Sequence, residues 1–291
     1  MTVTTPVAHP ARPLGDRRRG DRTLALLLVA LSTAIATNSL LGPLLADAID
    51  YRLSITLRNQ LIGLDAVSLA LVVPLCLVAA VLVWRGRPSG TVLAVGPATY
   101  AAYMFVQYVV GPSDLTYPRA LPLHLGIFVL SGITAARAVA SVRAEDLPAL
   151  ISGQRSTRMW VMFALSAFVV SRYLPALVGS ATGAALTAEL AADPAFFWVI
   201  LLMDLGIVVP VTVATGLALR RGAARAALMH YAVVGWFALV PPSVAAMAAA
   251  MLLNDDPYAS AANTAMFTVA AVACAGLAVR TYLPVIRREG A

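Results

Sequence analysis

The chain has 291 residues, of which 60% are hydrophobic and 12% charged, with a mean hydropathy of +0.83. A soluble domain carries roughly a quarter charged residues, so composition excludes an ordinary water-soluble globule and predicts that lipid is the solvent for most of the chain. The net charge of +7 comes from arginine alone, because there is no lysine; without an arginine stripe beside aromatics, this charge does not describe a nucleic-acid binder.

Crossing a bilayer as a helix takes about 20 apolar residues. Eight runs meet that length in chain order: Thr23–Leu45, Leu61–Trp84, Thr91–Gly111, Leu121–Val142, Met159–Gly179, Ala195–Leu219, Ala227–Leu253 and Ala262–Leu283. They are continuous rather than alternating, which predicts helices and not barrel strands. The expected fold class is all-α: a polytopic bundle of about eight transmembrane helices. Residues 1–22 read as a disordered basic tail, 23–284 as one transmembrane domain and 285–291 as a short second tail. Arg17, Arg18 and Arg19 ahead of an apolar run with Ala34-Ile35-Ala36 resemble a secretory signal. The run continues to Leu45, which predicts a retained first helix.

The connections set an orientation. Arg12, Arg17, Arg18, Arg19 and Arg22 precede the first span. Arg85 and Arg87 lie in the second connection, Arg143, Arg155 and Arg158 in the fourth, Arg220, Arg221 and Arg225 in the sixth, and Arg287 and Arg288 close the chain. The intervening connections hold only Arg52, Arg58 and Arg119, with Asp47, Asp50, Asp114, Glu189, Asp193, Asp255 and Asp256. The positive-inside rule then places both termini in the cytoplasm, and eight spans agree with that parity. Trp84, Trp160 and Phe196-Phe197-Trp198 stand at span ends as interfacial aromatics. Alanines 245, 246, 248, 249 and 250, and 270, 271, 273 and 275 with Gly276, predict close packing of the last two spans on each other.

An internal echo links two spans of the same direction. Asp65 is followed by Val72-Val73-Pro74 and Arg85-Gly86; Asp204 is followed by Val208-Val209-Pro210 and Arg221-Gly222. The proline-to-arginine spacing is eleven in both, while the aspartate-to-proline spacing is nine and six. The echo predicts two parallel four-helix halves, as in some transporters. Prolines 74, 210, 241 and 242 predict interruptions in spans two, six and seven.

Leu64-Asp65 through Pro74, Arg85-Gly86, Asp204-Leu-Gly-Ile-Val-Val-Pro210 and the pattern Tyr100-x-x-Tyr103-x-x-x-x-Tyr108-x-x-Gly111 together resemble a family of uncharacterised multi-pass bacterial membrane proteins. That family places an aspartate at the head of one span and the tyrosine-rich pattern in the next. Met104-Phe105 stand here where it often has Asn-Tyr. The resemblance implies a multi-pass membrane protein and no particular activity.

Charged side chains inside spans cost about 2.5–3.5 kcal/mol each on insertion scales, so Asp65, Arg137, Arg172 and Asp204 are the first candidates for a site. On the third span Gly96, Tyr100, Tyr103, Gln107 and Gly111 share one helical face. The predicted site is a polar cavity opening outward, lined by Asp65, Tyr100, Tyr103, Gln107, Arg172 and Asp204, with Asp65 or Asp204 paired to Arg172. Structural alternatives exist: Arg137 and Arg172 lie near span ends and can snorkel, and Asp65 can cap a helix.

The remaining motifs read structurally. His124 and His230 are expected in interfacial hydrogen bonds near opposite faces. Cys76 and Cys274 are expected as buried hydrophobes. Gly179-Ser180-Ala181-Thr182-Gly183 is expected in a loop, and Asp255-Asp256-Pro257 in a solvated turn. The absence of lysine excludes a Schiff base, and there is no phosphate loop, G-x-S-x-G elbow or H-E-x-x-H. No cofactor, metal or nucleic-acid partner is expected. The expected partners are membrane lipids and a small-molecule or lipid ligand. The leading function is binding or transport of a small solute or lipid through the outward cavity. The alternatives are a non-catalytic membrane assembly component and, behind it, an intramembrane enzyme on lipid-like substrates with Asp204 as acid or base.

Overall fold

A computed structural model describes residues 14–111 and 119–288, with side chains from Arg22 onward. The rest of the basic N-terminal tail, Asp114 and the last three residues lie outside the described residues. Within them the chain is helical with no strand, and eight helices are long and apolar enough to cross a membrane. They are α1 (Leu14–Leu41), α2 (Ile55–Trp84), α3 (Pro88–Val110), α4 (Leu121–Ser141), α5 (Ser152–Thr182), α6 (Pro194–Arg221), α7 (Ala226–Leu253) and α8 (Ala261–Arg288). A short helix, Ala188–Ala192, lies between α5 and α6.

The helix ends follow local chemistry. Ser54 caps α2, its hydroxyl accepting from the Leu57 amide at 3.2 Å, which extends the helix back over a polar turn before the apolar run. Pro88 and Pro194 open α3 and α6, where a missing N–H costs nothing. Gly86 and Gly222 follow α2 and α6 at φ 71° and 67°, a left-handed conformation suited to glycine. Gly179–Thr182 form the last turn of α5 rather than the expected loop, because the left-handed Gly183 ends the helix only after them.

The interruptions fall where proline removes a donor. Proline lacks an N–H, and its ring crowds the carbonyl four residues back, so the turn ahead of it widens. In α2 a π turn runs Ser68–Val72, with the Val73 amide bonding back to the Ser68 carbonyl. In α6 it runs Asp204–Val208, with the Val209 amide bonding to the Asp204 carbonyl. Pro74 and Pro210 each stand two residues past the π turn. Pro241 and Pro242 break α7 at Ala238-Leu239.

The paired π turns explain the unequal spacing in the sequence. Aligning them places Ser68 with Asp204, so Leu201 corresponds to Asp65. The two carboxylates therefore occupy different turns of their helices. The two halves share neighbours as well: α1 packs on α2, α5 on α6, α3 on α4 and α7 on α8. At the centre, a Cβ on Gly96 would lie 3.0 Å from the Gly235 Cα, so α3 and α7 meet backbone to backbone. The halves differ at their rims. Helix α1 packs along α4, whereas α5 and α8 form no comparable contact.

The core is built around α3. Two-thirds of its apolar window (67%) is buried, against 22% for α5 and for α8, so α3 is central and those two are peripheral. Leu24, Leu28, Leu31 and Ile35 place α1 in the same core. Val78, Ile133, Leu202, Val269, Val272 and Val279 face outward. Leaving each in water rather than burying it would cost about 1.5–3 kcal/mol, so these rows define a lipid-facing surface. The closest approach of α7 is to α2, not α8: a Cβ on Gly63 would lie 2.3 Å from the Ala246 carbonyl oxygen. Helix α8 does pack on α7, where the Tyr282 hydroxyl donates to the Tyr231 carbonyl at 2.8 Å, but Ala273, Ala275 and Gly276 are exposed.

Candidate functional site

A cavity of about 240 Å³ lies among α2, α3, α5, α6, α7 and α8 at the arginine-poor end. Its polar lining is Gln60, Tyr103, Gln107, Arg172, Glu189, Asp204, Ser243, Tyr258, Ser260 and Asn263; Met104, Met247, Met251 and Phe267 supply apolar wall. The rim where α5 and α8 stand apart is bridged by Arg172, whose guanidinium lies 4.7 Å from the Phe267 ring centroid and 5.8 Å from that of Tyr173.

Asp204 is 4% exposed. Its carboxylate accepts from the Tyr103 hydroxyl at 2.5 Å and from the Tyr173 hydroxyl at 2.6 Å, one on each oxygen. Hydrogen bonds to a charged group contribute about 1.5–3 kcal/mol each, so the pair offsets the insertion cost of one carboxylate without a cation. This corrects the expected ion pair. Arg172 lines the same cavity but makes no ion pair with Asp204, because two phenols already occupy the carboxylate and the guanidinium lies over aromatic faces.

The structure thus brings together Tyr103, Gln107, Arg172 and Asp204. It separates Asp65 and Tyr100 from them. Asp65 faces α1, where Gly42 leaves room for its carboxylate. Tyr100 bonds Ser243 at 2.7 Å and closes the floor between α3 and α7. Around Asp65 the first half forms a filled polar core. The Tyr51 hydroxyl lies 3.2 Å from His124 Nε2, and Tyr108 packs on the same imidazole with ring centroids 4.9 Å apart. Burial, helped by the Asp65 charge, raises the Tyr51 phenol above its ordinary value and keeps it a donor.

Beyond the predicted residues, Tyr173 reaches Asp204 from α5, and Gln60, Glu189 and Asn263 are among the polar groups that line the cavity. The Arg172-Tyr173 dipeptide inside an apolar span was the available signal for the first of these. Asp256 also differs from expectation. It is buried, accepting from Thr56 Oγ1 at 3.2 Å, Asn59 Nδ2 at 2.9 Å and the Tyr258 amide at 2.9 Å. The α7–α8 turn is thereby fastened to the first turn of α2, because those donors would otherwise be unpaired. His230 is buried with neither ring nitrogen hydrogen-bonded, so the expected interfacial bond is absent. Both cysteines are buried and free. Among the described residues no group of His, Cys, Asp and Glu is arranged to hold a metal ion.

Eight membrane-length helices around a mostly apolar core, with an outward-facing apolar surface, define an integral membrane protein of the polytopic α-helical class. Comparison with protein-family models, curated proteins and solved structures finds no match.

Proposed function

We propose that this protein binds, and passes across the membrane, a small polar solute or the polar part of a lipid, using the cavity beside Asp204. The observation that carries the reading is one cavity holding a guanidinium (Arg172), two carboxylates (Glu189 and Asp204) and three amides (Gln60, Gln107 and Asn263) within a membrane-length bundle. Polar groups are expensive at that depth and collect where they line a ligand path. The π turn that begins at Asp204 adds to this, since π bulges recur at functional sites. Arginine asymmetry orients the cavity outward, with both termini in the cytoplasm. The lysine-free, arginine- and alanine-rich composition fits a bacterial inner membrane.

A binding role fits better than acid–base catalysis. Each oxygen of Asp204 already accepts one tyrosine hydroxyl and keeps a further lone pair, so the carboxylate is held in place as an acceptor for a ligand donor. Native mass spectrometry of protein purified in mild detergent tests the reading. The wild type retains a small molecule or lipid that Asp204→Asn and Arg172→Gln release. An empty wild type with equally stable variants refutes it and favours the assembly-component alternative.

A further inference from the structure

A second space adjoins the first. A groove of about 440 Å³ lies among α3, α4, α6 and α7, lined by Thr99, Val106, Phe128, Ile207, Val211 and Trp236 among others. Its wall is almost wholly apolar. Ile207, Val211 and Met229 are 56%, 38% and 37% exposed, so it opens toward the bilayer. Tyr103 lines both spaces. Its hydroxyl is on Asp204 in the cavity, while its ring packs edge-on to Trp236 in the groove, centroids 5.0 Å apart.

Resting on the reading of the cavity as a ligand site, we propose that the ligand is an amphiphile: a zwitterionic head group in the cavity and a hydrocarbon chain in the groove beyond Tyr103. Size points this way. Small-molecule sites occupy about 300–1,000 Å³; the cavity alone falls below that range, and cavity and groove joined fall within it. Charge points the same way. Arg172 supplies a donor fork for a phosphate or carboxylate, and Glu189 and Asp204 face an amine. The depth order is that of a membrane lipid. The polar groups sit in the arginine-poor halves of their helices, and the groove continues along α7 toward its arginine-rich end, down to Met229. An unfilled groove in the bilayer would forfeit the dispersion contacts that a chain supplies. A chainless zwitterion would leave the groove to bulk lipid.

Trp236 is the natural reporter. A full-length variant with Trp84→Phe, Trp160→Phe and Trp198→Phe leaves it as the one tryptophan, in a maltoside detergent free of phospholipid. The probe is lysophosphatidylethanolamine brominated on its chain, with glycerophosphoethanolamine as the chainless head. The brominated lipid quenches Trp236 saturably, and Arg172→Gln, a change at an exposed residue, weakens this about tenfold or more, as expected for losing a hydrogen bond to a charged group. Glycerophosphoethanolamine competes far less well. Quenching that Arg172→Gln leaves unchanged overturns the inference, because the chain then enters as bulk lipid. Competition by the chainless head as strong as by the lipid also overturns it, yet leaves the cavity as a solute site. Absence of any quenching overturns it as well, and the adduct retained or missing in native mass spectra then decides separately whether the cavity reading survives.

Discussion

Tyr103 on α3 and Asp204 on α6 are joined by a 2.5 Å hydrogen bond across the centre of the bundle. Around that bond lie the cavity, the π turn of α6 and the edge of the apolar groove. Tyr173 from α5 completes the carboxylate's donors at 2.6 Å. Three helices therefore converge on one acid, and its neighbours set both local stability and the shape of the site.

Removing one donor exposes this dependence. Tyr173→Phe costs about 1.5–3 kcal/mol, the contribution of a hydrogen bond to a charged group. In a double-mutant cycle with Asp204→Asn, thermal unfolding in detergent is expected to give a coupling above ~1 kcal/mol. Strictly additive costs would mean that the bond contributes nothing beyond packing.

The α2–α7 contact is predicted to tolerate no added atom. Gly63→Ala drives a methyl into the Ala246 backbone, and overpacking of this kind costs about 1–3 kcal/mol. Gly132 on α4 faces open space, so Gly132→Ala is expected to be neutral or to stabilise by up to ~1 kcal/mol through helix propensity. Melting temperatures of the two variants should move in opposite directions or differ clearly in size; equal shifts would place α2 and α7 farther apart.

Asp256 holds a turn to a distant helix. Asp256→Ala leaves Thr56 and Asn59 without their acceptor, at about 1–3 kcal/mol for the orphaned groups. Amide hydrogen exchange is expected to rise at residues 55–60 and 254–258 together. Faster exchange in the turn alone would argue that α2 does not depend on it.

Glu189 predicts a pH dependence with a definite sign. Its half-buried carboxyl is raised above the ordinary carboxylate value by desolvation first, then by the charge of Asp256. The folded state thus favours the protonated form. Its contribution to stability is fully present below the unfolded value and is lost as pH rises through the folded one. The negative charge it offers the cavity appears in the same window. Affinity for a ligand bearing an amine should therefore climb as pH rises just above the ordinary carboxylate range, and Glu189→Gln should flatten that rise. A titration unchanged by Glu189→Gln would remove the residue from the site.

Much of the architecture was legible because it rests on uninterrupted apolar length and on arginine at alternate connections. Proline at 74, 210, 241 and 242 marked the interruptions for a local reason, the missing N–H. The site was legible only in part. Tyr103, Gln107, Arg172 and Asp204 were identifiable as polar groups at one depth. Which of them touch depends on helix rotation, and two phenols from α3 and α5, rather than Arg172, reached the carboxylate. Asp65 resembled Asp204 in sequence but stands one turn away from the equivalent position, and nothing short of the π turns reveals that register. Asp256 read as solvated because its donors, Thr56 and Asn59, are about two hundred residues away in sequence.

The most direct test of the central claim, a polar cavity open to the outside beside Asp204, is thiol accessibility at Gln107. With Cys76→Ala and Cys274→Ala as background, Gln107→Cys should react in intact cells with a small, charged, membrane-impermeant methanethiosulfonate. It should also react more slowly once a cavity ligand is bound. A thiol that stays unreactive until the membrane is dissolved would contradict the account, because Gln107 would then face packed protein or lipid and not a water-accessible site.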